Sequence, residues 1–220
     1  KRVQDFAKKI SESLNLEEEN IKLAILIALL HDIGRFEQIK RYNSFNDATT
    51  VDHADLGVQI LFTNNYIRKY IATDKYDSVI YKAIKNHNKF EIEENLNYTE
   101  LLHAKIIRDA DKIDILNEVC KRPFETVCNE ADISNQNLSD KIYEDIMNKN
   151  VVNVKEAQTD LDRWILKIGF IFDINFKYSL NVIRENKTIF KFIDRIHTDR
   201  KDTNEKLQNI RKLIDSYFTD

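Results

Sequence analysis

The chain has 220 residues, and its 34 Lys+Arg against 37 Asp+Glu leave a formal net charge of -3, which gives no electrostatic reason to expect DNA or RNA as a partner. At 42% hydrophobic residues it can build a core, while 3 Gly and 1 Pro are too few turn-formers for a sandwich or barrel of short strands. An all-α protein is expected. In chain order, Val3, Phe6, Ala7 and Ile10 share one helical face. A second helix is predicted over residues 17–34, with Glu17, Glu18 and Glu19 suiting its N-terminus and Gly34 its C-terminal stop. Its stretch Leu23 to Leu30 is apolar all round and predicts a buried central helix. Residues 42–50 read as a loop, and helices are predicted at 52–64, 76–87 and 99–121, the last ended by Pro123. Residues 90–97 and 129–137 are polar connections, and further helices are expected at 140–148, 158–185, 188–196 and 203–218. The apolar run falls far short of the ~20 residues of a membrane span. No secretory signal opens the chain, and Cys120 and Cys128 suit neither a disulfide framework nor a zinc knuckle, so a cytoplasmic protein is expected. No hinge composition divides the chain. A single domain over 1–220 is therefore expected, with residues 123–220 packed on a core formed by 1–122.

The candidate chemistry lies at polar residues set among apolar ones. His31-Asp32 directly follows the most apolar stretch, where an ionisable pair is rare unless it is paired or bound to metal. A helix end that reaches solvent explains the pair equally well. His53 opens one predicted helix, His87 closes another, and Asp109, Asp111 and Asp114 lie in a third. Each alone reads as a surface residue or cap. Together they place three histidines and an aspartate on four helices, a standard way to assemble a metal site in a bundle. Imidazole and carboxylate without thiolate suit Mn, Fe, Co, Ni or Zn. His103 reads as a helix-face residue whose removal is nearly silent, and His197 as part of a surface loop.

Leu29-Leu30-His31-Asp32-Ile33-Gly34-Arg35 resembles the signature of the HD-domain metal-dependent phosphohydrolases, and Ile107 to Asp114 resembles that family's distal Asp segment, with Asp111 at the ligand position. The resemblance spans roughly residues 1 to 118 and implies an HD-like helical bundle carrying additional C-terminal helices. It implies His31, Asp32 and Asp111 as metal ligands, and a first His one to three residues before Lys1. His53 and His87 match the further histidines of two-metal members, so one or two divalent ions (Fe, Mn, Co, Ni, Zn or Mg) are implied, with Asp32 bridging if there are two. Asn88 stands where the cyclic di-GMP phosphodiesterase branch has a second His, and residues 89–95 lack its Gly-Tyr-Pro.

The implied reaction is hydrolysis of a nucleotide or another small phosphoester by water that the ion acidifies. A phosphodiesterase on a cyclic or linear dinucleotide and a non-catalytic signalling or scaffold domain are the alternatives. Asp32 and Arg35 are the candidate catalytic residues. Arg35 shares a helix face with His31, and it and Lys112 are candidate phosphate ligands. Glu37 is a candidate acid or base at the rim, and Asp114 an orienting group. The expected partner is a small phosphorylated molecule, with no membrane, no nucleic acid and possible homodimerisation.

Overall fold

Helix α1 (Arg2–Ser13) buries Val3, Ala7 and Ile10 and lies against α2 (Glu18–Leu30), which buries Leu23, Ala24, Ile27, Ala28 and Leu30. Each Val, Ile or Leu side chain among these that is removed from water is worth roughly 1.5–3 kcal/mol. The expectation of a helix buried all round is corrected: Leu29 is 53% exposed. The predicted helix over 17–34 is also two helices. The chain turns at His31-Asp32, and α3 (Ile33–Tyr42) starts immediately after. Gly34 is therefore in the first turn of α3 and not a helix stop.

Helix α4 (His53–Val58) continues into a π-helical turn, Gln59–Thr63. Helices α5 (Asp77–Asn86) and α6 (Tyr98–Val119) follow at the predicted places. Beyond them come α7 (Asp140–Met147), α8 (Asp160–Ile165), α9 (Lys177–Glu185), α10 (Thr188–Asp194) and α11 (Lys201–Thr219). The helix expected over 158–185 is in fact α8, a 3-10 stretch (Leu166–Asp173) and α9. This computed structural model describes residues 1–126, 128 and 132–219, and no strand occurs among them. Part of the polar connection expected at 129–137 lies outside the described residues. No described helix is long and apolar enough to cross a membrane.

The chain divides into two units, Lys1–Asp111 and Lys112–Asp220. In the first, α3 packs on α4, and α5 packs on both α4 and α2. In the second, Trp164 is fully buried between the rings of Phe124 and Phe192, at 4.5 and 4.9 Å, and its indole N–H donates to the Phe192 carbonyl at 3.0 Å. Asparagine replaces glycine at tight stops. Asn15, Asn43, Asn65 and Asn95 all have φ between 50° and 63°, and none of the three glycines has positive φ. Asparagine tolerates this left-handed conformation better than most residues because its short side chain can bond locally.

His103 corrects another expectation. It is 1% exposed, and its Nε2 meets Asn20 Oδ1 at 3.2 Å, so α6 is tied to α2 there. Burial lowers its pKa to about 4, which keeps it neutral.

Candidate metal centre

Two helix ends place two imidazoles in the same way. His31 follows the last turn of α2, and its Nδ1 bonds the Ala28 carbonyl at 2.8 Å. His87 follows α5, and its Nδ1 bonds the Ile84 carbonyl at 2.7 Å. The last carbonyls of a helix lack intrahelical partners, so a ring N–H finds an acceptor there. His53 sits at the opposite kind of end. It is the first residue of α4, set there by Asp52, whose carboxylate accepts from the amides of Ala54 and Asp55 at 2.9 and 3.1 Å. Its Nδ1 bonds Asp47 Oδ2 at 2.6 Å. All three acceptors are oxygens without a proton to give, so Nδ1 carries a proton in each ring, and Nε2 holds the lone pair whenever the ring is neutral.

These Nε2 atoms converge on Asp32. His53 Nε2 is 3.2 Å and His87 Nε2 is 3.8 Å from Asp32 Oδ1, and His31 Nε2 is 3.4 Å from Asp32 Oδ2. Asp111, from the middle of α6, brings Oδ1 to 3.6 Å from His31 Nε2. His53 Nε2 and His87 Nε2 are 2.9 Å apart. Two lone pairs that close repel unless a proton or a cation is shared between them. His31 Nε2 is buried with no hydrogen-bond partner, and leaving such an atom unsatisfied costs about 1–3 kcal/mol. The Asp32 side chain is 49% exposed, so the cluster opens to solvent at its central carboxylate. Ligand atoms of His31, Asp32 and His87 all lie within 4.8 Å of one another, close enough for one ion. The donor set therefore fits a divalent cation.

The electrostatics point the same way. Burial opposes charge on His31, but Asp111 and Asp32 outweigh it and raise its pKa from the ordinary 6.5 to about 9. Burial likewise opposes charge on His53, and Asp32 and Asp47 again win, raising its pKa. Burial would raise Asp32 and Asp111, yet the neighbouring imidazoles hold both below the usual carboxylate range. Protons thus stand in for the positive charge that this cluster is built to hold.

Sequence reasoning missed the residues around this set. Asp47 Oδ1 accepts from Arg35 Nη1 and Gln38 Nε2, both at 2.8 Å, and Asp47 Oδ2 also accepts from Asn88 Nδ2 at 3.3 Å. Asp47, Asp52 and His53 form a second cluster of possible metal ligands. Its carboxylates are already neutralised, Asp47 by Arg35 and Asp52 by Lys89 at 2.6 Å, so this cluster supports the first one and does not rival it. Arg108 is 3% exposed and donates to the carbonyls of Asn86, Lys89 and Phe90, the turn that carries His87.

The other sequence candidates are spread more widely. Arg35 stands at the cluster, with Nε 3.6 Å from Asp32 Oδ1, while its Nη1 bonds Gln38, the Phe45 carbonyl and Asp47. Lys112 is buried in the second unit and donates to Asp173. Glu37 pairs with Arg41 at 2.7 Å on the surface of α3. Asp109 is fully buried, and His197 is exposed on the loop after α10.

With an aspartate directly after its helix-end histidine and a distal aspartate on α6, this helical unit has the makings of a known class. The family model for the HD domain matches residues 1–116, more than half of the chain, and the chain belongs to the HD-domain family. All five candidate ligands fall inside that match. A cysteine–tRNA ligase of Brachyspira hyodysenteriae (strain ATCC 49526 / WA1) is 28% identical over 153 residues, covering 63% of this chain and 30% of that protein. The chain thus spans less than a third of the length of that curated relative. No solved structure matches the chain.

Proposed function

We propose that the chain is a metal-dependent phosphohydrolase acting on a small phosphoester, with a nucleotide as the first substrate class to test. The observation that carries this reading is the convergence of three imidazole Nε2 atoms, each ring fixed by a bond at Nδ1, on the half-exposed carboxylate of Asp32. His31, Asp32, His53, His87 and Asp111 would hold one divalent ion or two. An ion held there supplies Lewis acidity, acidifying water and offsetting charge on phosphoryl oxygens. Arg35 supplies a fixed cation beside Asp32, where a guanidinium can take a phosphoryl oxygen, and its bond to Asp47 keeps it from swinging away. The likeness to a tRNA ligase covers 30% of that protein, so ligation carries no weight here.

The test is elemental analysis of protein purified without chelator, followed by assays on p-nitrophenyl phosphate and a nucleotide panel. The wild type is expected to carry one or two equivalents of Mn, Fe, Co, Ni or Zn and to release phosphate. Asp32→Ala is expected to lose both metal and turnover with its circular dichroism unchanged. Full activity in that variant would overturn the assignment.

A further inference from the structure

His53 faces a problem that His31 and His87 do not. A ring at the C-terminal end of a helix finds an acceptor in its own last turn, because carbonyls point that way. The first residue of a helix is surrounded by N–H groups and has no such acceptor. The partner for His53 Nδ1 must come from elsewhere, and it comes from the 43–52 connection as Asp47 Oδ2, at 2.6 Å. Without it the ring proton is free to move to Nε2, the nitrogen that faces Asp32 and His87.

The connection is held in place for this task. Gln38 is 0% exposed, and its Nε2 donates to Asp47 Oδ1, Thr50 Oγ1 and the Val51 carbonyl at 2.8, 2.9 and 3.0 Å. Arg35 Nη1 adds bonds to Asp47 Oδ1 and the Phe45 carbonyl at 2.8 and 2.7 Å. One carboxylate oxygen thus anchors the connection to α3, and the other is aimed at His53.

We propose that Asp47 is a positioning residue that sets the tautomer and ring orientation of His53, so that Nε2 is presented to the metal centre as a lone pair, and that Gln38 and Arg35 exist in part to hold Asp47 there. The importance of that lone pair rests on the metal-centre reading above; the tautomer claim itself does not. Carboxylates bonded to the far nitrogen of a metal-binding histidine are worth about 10–100-fold in metal affinity.

The experiment has two readouts on the full chain. Nitrogen-15 NMR of the histidine rings in chelator reports the His53 tautomer without any metal. Titration with Co(II), followed by its visible absorption, reports affinity. At alkaline pH, where the His53 ring is neutral, the wild type is expected to show Nδ1–H. Asp47→Ala is expected to shift His53 toward Nε2–H and to bind Co(II) about 10–100-fold more weakly. Asp47→Asn, whose single amide oxygen is claimed by Arg35 and Gln38 and whose NH2 therefore faces His53 Nδ1, is expected to shift the ring to Nε2–H and to weaken Co(II) binding as well. If Asp47→Ala keeps the Nδ1–H tautomer and wild-type affinity, the proposal is wrong. If Asp47→Ala does not fold, Asp47→Asn decides: Nε2–H with weaker Co(II) binding supports the proposal, and Nδ1–H with wild-type affinity overturns it. A wild type that takes up no Co(II) defeats the metal-centre reading, while the chelator spectra still decide the role of Asp47.

Discussion

A Cβ on Gly34 would stand 2.0 Å from the carbonyl oxygen of His53 and 2.7 Å from the amide nitrogen of Gly57. Both neighbours are backbone, so neither can swing aside, and α3 and α4 approach this closely only because residue 34 has no side chain. Gly34→Ala is expected to destabilise the protein by at least about 3 kcal/mol, the upper end for overpacking. Because the atom it strikes belongs to His53, metal retention should fall with stability. Urea unfolding combined with elemental analysis checks this, and a variant with wild-type midpoint and metal content would refute it. The same residue shows what a sequence hides. A glycine after an apolar run looks like a helix stop, and only the structure shows that its lost side chain serves a helix that begins later. His31-Asp32 is legible because the pair directly follows the most apolar stretch, whereas His53, His87 and Asp111 become legible as ligands through their match to the HD-domain pattern. Asp47 and Gln38 are not, because an acid in a polar loop and a glutamine on a mixed helix carry no local mark of burial or partner.

At the scale of elements, the centre depends on where helices stop. The helix predicted to run through 34 breaks at His31-Asp32, and that break lets His31 close α2 while Asp32 precedes α3. The turn keeps local bonds on both sides, His31 Nδ1 to the Ala28 carbonyl and the Arg35 amide to the Asp32 carbonyl. The apolar pattern runs on past the break through Ile33, so the segment reads as one helix. The 3-10 stretch that divides α8 from α9 is hidden for the same reason, since its residues 166–173 are as apolar as a helix core. Arg108 does for the end of α5 what a cap would do from within. It gathers the carbonyls of Asn86, Lys89 and Phe90 and fixes the turn next to His87, three residues before Asp111 on the same helix. Arg108→Met keeps much of the volume and leaves those carbonyls without their charged donor. A loss of roughly 2–4 kcal/mol is expected, given the cost of unsatisfied buried groups. Amide exchange should speed up at 86–90 before it does in α2. Uniform exchange in the variant would show that Arg108 packs the core without pinning the turn.

For the whole molecule, charge at the centre couples folding to pH and to metal. The metal-free protein is the simpler case. His31 is raised from 6.5 to about 9, so its contribution is fully present below pH 6.5 and is lost as pH rises through about 9. His53 is raised and acts in the same direction. Asp47 moves the other way: burial would raise it, but its bonds from His53 and Gln38 hold it at about 2, below the ordinary 3.8. Its contribution is present above pH 3.8 and is lost as pH falls through about 2. Stability of the chelated protein should therefore peak between about pH 4 and 6.5. The His31 contribution, roughly 3 kcal/mol from the size of its rise, should disappear on going to about pH 9.5. The attraction between His31 and its carboxylates is counted once in that figure, since the lowered Asp32 and Asp111 express the same energy. A bound cation inverts this dependence. It needs the imidazole lone pairs that protons occupy at low pH, so its binding releases protons and its stabilisation, set by ligand concentration over Kd, grows as pH rises. Melting curves from pH 5 to 10, with chelator and with excess Mn(II), should diverge progressively toward the alkaline end. A chelated protein equally stable at pH 6.5 and 9.5 would mean that the carboxylates do not hold a proton on His31, and the charge balance derived for the centre would be wrong.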